Sequence, residues 1–182
     1  MTSMKVHSIE SAPADSKPIL EKSVQDFGML PGLHGVLASS PNTLKAYKTI
    51  HGLFQNSSFD NEELTVVWQT INVENECHYC VPAHTAIAHM MKVDANITEA
   101  LRNNTALPTA KLQALHETTL KIMRNHGRLS QEDIEAFYSV GYGQQQVLEI
   151  LLGLAQKTIS NYTNHLANTP VDEPFQKFAW SK

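Results

Sequence analysis

The chain has 182 residues, 42% of them hydrophobic and 18% charged, so it can build a core and is not a disordered polyelectrolyte. One domain of this length buries roughly 70% of its unfolded surface and needs no disulfide staples. Fourteen Lys and Arg against eighteen Asp and Glu leave a net charge of −4, which excludes the basic stripe expected of a nucleic-acid partner.

Residues 1–17 mix Lys, Glu, Asp, Ser and Pro and read as a polar arm, free or ordered against a partner. They contain no apolar signal region, and no run in the chain reaches the roughly 18 to 20 apolar residues of a membrane span. No membrane partner is therefore expected, and the expected compartment is the cytoplasm. From residue 18 to 182 helical periodicity hardly stops. Ile19, Leu20, Val24 and Phe27 predict a short helix closed by Gly28, and a Pro31-Gly32 corner leads into a segment from Leu33 to Ala38. Ser40 and Pro41 open a helix whose face carries Leu44, Tyr47, Ile50, His51 and Phe54. Asp60 caps the next, with Leu64, Val67, Trp68 and Ile71 at helical spacing and Glu62 and Glu63 in its first turn.

Asn72, Glu74 and Asn75 mark a break, after which a helix is predicted to carry both cysteines and run towards Met91. A short helix starts at Asp94 or Thr98, and Pro108 opens another, with Leu112, Leu115 and Ile122, that ends near Gly127. Ser130 with Asp133 forms a capping-box pattern ahead of Ile134 and Phe137. A Gly141-Tyr142-Gly143 turn precedes the clearest helix, with Val147, Ile150, Leu151, Leu154, Ile159, Tyr162 and Leu166 on its apolar side. No alternating strand pattern stands out. The expected fold is one all-α domain of about eight or nine helices over residues 18–182.

The two cysteines of the chain are three residues apart. On a helix Cys77, Cys80 and His84 share one face, and Cys77 at the N-terminus is the thiol that the helix dipole acidifies. A thiolate, a second thiol within disulfide reach and an imidazole make a dithiol redox site, with Glu74 the carboxylate that the local turn could bring up. Pro82 predicts a tight or distorted first turn. The competing readings are an inert buried pair and a zinc site. Zinc needs a fourth ligand; His78 and His89 are the candidates, but His89 lies about 140° round the helix from His84. No metal and no other cofactor is expected.

The stretch ENECHYCVPAH from Glu74 to His84 resembles the C-x-x-C-x-x-x-H core of the alkylhydroperoxidase D-like branch of the carboxymuconolactone decarboxylase superfamily. The stretches from Phe27 to Leu33, Leu107 to Leu112, Gly141 to Glu149 and Ser160 to Pro170 are similar to that branch as well. The resemblance implies packed helices, a homo-oligomer (trimer or hexamer) and thiol peroxidase chemistry on hydrogen peroxide or organic hydroperoxides. It implies that Cys80 attacks the O–O bond, that Cys77 resolves the sulfenic acid, and that His84 and a glutamate relay protons. An external dithiol partner then reduces the disulfide. The branch carries its glutamate twelve residues before the first cysteine, and that position here is Thr65; Glu74 and then Glu63 are the substitutes. Tyr79 stands where a histidine would precede the second cysteine. A lactone decarboxylase and a non-enzymatic redox-sensing or zinc-binding helical protein are the alternatives.

Elsewhere, Asn161 and His165 read as a hydrated polar stripe that could instead approach the site. Trp68, Met90 and Met91 read as core, and His116 and His126 as solvent-facing.

Overall fold

The computed structural model describes residues 4–182, which form nine α-helices and no strand. They are α1 (Lys17–Phe27), α2 (Gly32–Leu37), α3 (Pro41–Gln55), α4 (Asn61–Glu74) and α5 (Cys80–Met90), then α6 (Ala95–Asn103), α7 (Ala110–Arg124), α8 (Gln131–Ser139) and α9 (Gln144–Ala167). The order and number match the periodicity. Among the described residues no helix is long and apolar enough to cross a membrane.

Helix α4 is the axis. Every side chain from Glu63 to Asn72 is buried, because α5, α6, α7 and α9 surround it. Its start is a reciprocal capping box: the Glu63 amide donates to Asp60 at 2.9 Å, and the Asp60 amide donates to Glu63 at 3.0 Å. Trp68, Ile71, Phe54, Leu115 and Ile150 anchor the larger apolar cluster around it. A second cluster joins Leu20, Leu33, Leu37 and Leu44 of the first three helices to Cys77 and Cys80. The cysteines therefore sit at a seam between the N-terminal helices and the central bundle.

Residues 1–3 of the predicted arm lie outside the described residues. From Met4 onward the arm packs on its own chain: the His7 amide donates to the Gly35 carbonyl at 3.0 Å, and buried Ser16 donates to the Ala38 carbonyl at 2.7 Å. Thr109 caps α7, one residue after the Pro108 that the sequence suggested as its opening. The tail turn Glu173–Phe178 folds back against α5.

The last helix departs from its predicted orientation. Ile150 is buried, and Val147 and Leu154 pack on the core as expected, but Leu148, Leu151, Tyr162 and Leu166 are exposed, and the rest of the buried side carries Gly153, Gln156, Lys157, Ser160, Asn161, Asn164 and Ala167. Close packing explains the reversal. An added Cβ at Gly153 would lie 2.9 Å from the Phe54 ring and 3.0 Å from Val67, so α9 approaches α3 and α4 where it is narrowest. The polar residues that follow are thereby drawn into the interior, and each finds a hydrogen-bond partner or a charge there.

Candidate active site

Cys77 is not on the helix with Cys80. Helix α4 ends at Glu74, Glu76 takes a left-handed φ of 52°, and α5 starts at Cys80. Pro82 gives the reason. It is the third residue of α5, where its missing N–H would have had no intrahelical partner anyway. The helix starts late enough to accommodate the proline, and the expected tight turn falls between Asn75 and Tyr79. In that turn the Cys77 amide donates to the Asn72 carbonyl at 2.9 Å, and the Cys80 amide donates to the Cys77 sulfur at 3.2 Å.

A ladder of side-chain amides fixes this turn to α9. Asn75 donates to Asn161 (2.9 Å), Asn161 to Asn72 (2.9 Å), Asn72 to Gln69 (3.0 Å) and Gln69 to the Val81 carbonyl (3.1 Å). Asn161 is thus a buried structural partner and not the hydrated stripe the sequence suggested, while His165 stays exposed. Below the ladder Asn164 donates to the Cys80 sulfur at 3.2 Å. Tyr79, the departure from the family pattern, donates its hydroxyl to Asp172 at 2.6 Å and accepts from the Leu33 amide at 3.3 Å. Its work is to tie the cysteine turn to the tail and to α2.

The two sulfurs are electrostatically unequal. Burial would raise the Cys80 thiol, but the hydrogen bond from Cys77, the Lys157 charge and the Asn164 and Asn161 amides bring it down to about 7. Cys77 is pushed well up by that same hydrogen bond and by burial. The dipole argument from sequence favoured Cys77; the geometry gives the helix N-terminus to Cys80, whose thiol the Cys77 hydrogen bond and the Lys157 charge lower as well.

His84 lies one turn below Cys80, is 6% exposed, and presents Nε2 to the Lys157 ammonium. Its ring centroid is 4.9 Å from that of Trp68, over which Lys157 also sits at 5.7 Å. Trp68 is core, as its spacing suggested; its indole N–H donates to Gln156 at 2.7 Å, and Gln156 donates to His51 at 2.8 Å. Burial, with the neighbouring Lys157 charge, holds His84 neutral, well below its ordinary range. Burial also lowers Lys157, to about 8, against the pull of the two sulfurs.

Neither candidate glutamate joins this group. Glu74 points to α7, where Arg124 holds it through two hydrogen bonds of 2.6 and 2.8 Å and keeps its carboxyl below the usual range. Glu63 is committed to the capping box, to the Tyr142 hydroxyl (3.0 Å) and to Lys111 (2.7 Å). It is 6% exposed, not a solvated first-turn charge. Thr65 donates its hydroxyl to the Asn61 carbonyl one turn back, at 2.8 Å. Glu74→Gln and Glu63→Gln are therefore expected to leave Cys80 alkylation by iodoacetamide within about twofold of wild type. Glu74→Gln should cost less than about 1 kcal/mol of stability and Glu63→Gln about 1–2 kcal/mol, measured by urea unfolding. A tenfold fall in alkylation rate with either variant would restore that carboxylate to the site.

The sequence reading missed Lys157, Asn164 and Asn72. A signal existed: Gln156, Lys157, Ser160, Asn161 and Asn164 recur at helical spacing between the small residues Gly153 and Ala167. His116 was expected to face solvent, but it is half-buried and its Nδ1 meets the Thr70 hydroxyl at 2.7 Å; His126 is exposed. Met91 packs on the core, whereas Met90 is 71% exposed at the mouth of a cleft. That cleft, of about 690 Å³, has Cys80, His84 and Lys157 at its base and Phe27, Tyr47 and Phe175 on its walls. Among the described residues no three His, Cys, Asp or Glu side chains are grouped to hold a metal ion. The Lys157 ammonium occupies the side of His84 where a zinc ligand would need a free lone pair.

An all-helical bundle with a C-x-x-C turn between two central helices, followed one turn later by a histidine, is the alkylhydroperoxidase D-like fold. A peroxidase-related protein of the alkylhydroperoxidase AhpD core from Ralstonia eutropha JMP134 superimposes with a TM-score of 0.83, at 18% identity over 96% of each chain. A peroxidase-related protein from Silicibacter sp. TM1040 does so at 0.80, with 16% identity over 96% of this chain and 95% of that one. A Cys-to-Ala form of the debrominase Bmp8 in complex with 2,3,4-tribromopyrrole gives 0.76, at 16% identity over 97% of this chain and 95% of that one. At such identities the likeness establishes the fold. No protein-family model matches the chain, and no curated protein does.

Proposed function

We propose that the protein is a dithiol peroxidase that reduces organic hydroperoxides and cycles between a Cys77/Cys80 dithiol and its disulfide. The observation that carries this is the unequal setting of the sulfurs: Cys80, at the base of a cleft, accepts from the Asn164 amide and feels the Lys157 charge, which lower its thiol, while Cys77 beside it is pushed up. The Cys80 thiolate attacks the terminal peroxide oxygen, the O–O bond breaks, and Cys80 becomes a sulfenic acid. Cys77 then displaces hydroxide, which leaves as water, and forms the disulfide. An external dithiol returns both sulfurs to the reduced state by exchange. The net reaction converts a hydroperoxide and a dithiol into an alcohol, water and a disulfide. The wide, aromatic-walled mouth suits an organic tail better than hydrogen peroxide alone. This cycle fits a reducing compartment such as the cytosol.

Treating the reduced protein with one equivalent of tert-butyl hydroperoxide is expected to remove two hydrogen masses. Peptide mapping should place the new bond between Cys77 and Cys80. Free thiols after that treatment would sink the proposal.

A second reading draws on the chain of rings along the cleft. Phe27, His34, Tyr47 and His51 follow one another with centroids 5.6 to 6.1 Å apart. Such a wall suits a flat aromatic ring, and the debrominase of the same fold was crystallised with a bromopyrrole. The dithiol could likewise reduce an aryl bromide to the arene, bromide and a proton, yielding the same disulfide. Bromide release from a bromopyrrole in the presence of dithiothreitol distinguishes the two substrates.

A further inference from the structure

Two buried polar atoms at this site have no partner: His84 Nδ1 and Asn164 Oδ1. Their side chains are 6% and 0% exposed, so water does not satisfy them from bulk solvent. The chemistry of the neighbours fixes their roles. An ammonium only donates, so the His84 Nε2 that meets Lys157 is the acceptor nitrogen and the ring proton sits on Nδ1. The Asn164 amide gives its N–H to the Cys80 sulfur and keeps its oxygen unused. A free donor therefore stands on His84, which lines the cleft with Cys80, and a hydroperoxide offers it an oxygen lone pair; the free acceptor lies on the residue that bonds the Cys80 sulfur.

The dithiol needs a proton at this place. Cleaving an O–O bond expels an alkoxide, a poor leaving group unless it is protonated as it departs. The glutamates are elsewhere, as described above. Apart from the Asp172 carboxyl that Tyr79 holds, the other groups around the pair carry no charge: His51 of α3 is lowered to about 4 by burial, and burial pushes Tyr47 of α3 and Tyr79 of the turn upward. Cys77 of the turn keeps its proton, and His84 of α5 is uncharged. Lys48 and Asp26, on the cleft's outer wall, lie 3.6 Å apart and offset each other. The ammonium of Lys157, on α9, is the cation that remains.

We propose that Lys157 is the proton source for peroxide cleavage, acting through His84, whose Nδ1 is the atom that donates to the departing oxygen. The inference rests on the dithiol reading. As Cys80 attacks, the Nδ1 proton moves to the alkoxide and an Nζ proton moves to Nε2. The products are an alcohol, a Cys80 sulfenic acid and a neutral Lys157 amine. Neutral Lys157 can then take up the Cys77 proton as Cys77 attacks, and that proton leaves with the expelled hydroxide as water. Reduction of the disulfide by a dithiol supplies two protons, one for the Cys77 thiol and one for His84 Nδ1, while the Nε2 proton returns to Lys157 and restores its ammonium. Lys157 is a positioning and proton-supplying residue; His84 and Cys80 are the catalytic ones.

The test separates a proton donor from a packing residue by the leaving group. At pH 7.5, rates of Cys80 oxidation by tert-butyl hydroperoxide and by peracetic acid are measured for wild type and Lys157→Met. Each rate is divided by the iodoacetamide alkylation rate at the same pH, which reports the thiolate. Peracetic acid expels acetate, which needs no proton. The divided rate with the alkyl hydroperoxide is expected to fall about a hundredfold in Lys157→Met, and that with the peracid less than about threefold. In wild type the divided alkyl hydroperoxide rate should decline above about pH 8, as Lys157 loses its proton, and Lys157→Met should lack that decline. Lys157→Gln is the second variant and should repeat the pattern. Equal losses on both oxidants in each folded variant would overturn the relay while leaving the dithiol reading intact. A wild type that consumes neither oxidant faster than free cysteine would overturn both.

Discussion

Cys80→Ser is expected to lower hydroperoxide consumption about a thousandfold or more, because no other group at the cleft base is an ionised nucleophile. Cys77→Ser should behave differently. It keeps the attacking sulfur and loses the resolving one, so it should react once and stop with Cys80 as a sulfenic acid that dimedone traps. A mass increase of one dimedone on the Cys80 peptide, absent in wild type, checks the assignment. Dimedone on Cys77 in the Cys80→Ser protein would reverse it. The pH dependence carries the same information. Because the Cys77 hydrogen bond and the Lys157 charge bring the Cys80 thiol down to about 7 against burial, its alkylation rate should rise through pH 7 and level off by about pH 8. A rise that continues past pH 9 would mean that the Cys77 hydrogen bond and the Lys157 charge do not outweigh burial.

Trp68→Ala should be the most damaging change to stability, costing about 3–5 kcal/mol and roughly 10 °C in Tm. The indole is 1% exposed, packs edge-on against Phe54, and supports both His84 and Lys157 from below. Trp68→Phe separates volume from hydrogen bonding. It keeps most of the packing but strips the N–H from Gln156, leaving a buried amide oxygen without its donor at a cost of about 1–3 kcal/mol. Thermal unfolding of the two variants side by side gives both numbers. A Trp68→Phe protein as stable as wild type would show that the Gln156 oxygen finds another donor.

Helix number and order were legible in the sequence because apolar spacing and caps are local signals. Asp60, Ser130 and Ser40 each cap a helix where the pattern placed them. The dithiol was legible as well, since a C-x-x-C turn forces its two sulfurs together. The inward faces of α3, α4 and α7 were legible too, through Leu44, Phe54, Trp68 and Leu115; what failed was much of the face of α9 and the direction of Glu74. The leucines of α9 looked like its core face, but its close approach at Gly153 turned Lys157 and three amide side chains inward instead. Glu74 looked adjacent to the cysteines along the chain, yet the left-handed Glu76 turn sends its carboxylate to Arg124. Adjacency in sequence says little about direction across a reversal. Lys157 lies 77 residues beyond Cys80 (157 − 80), and no local pattern ties the two together.

Gly153 has a consequence for how this cleft can change. It lies one turn before Lys157 on the same helix, and its missing side chain lets α9 close on Phe54 and Val67. The position of the buried cation is thus set by an atom that is not there. A methyl group at residue 153 would press α9 outward and draw the ammonium away from His84 without altering any residue of the site. The smallest substitution in the bundle would thus act as an adjustment of the spacing between α9 and its neighbours α3 and α4.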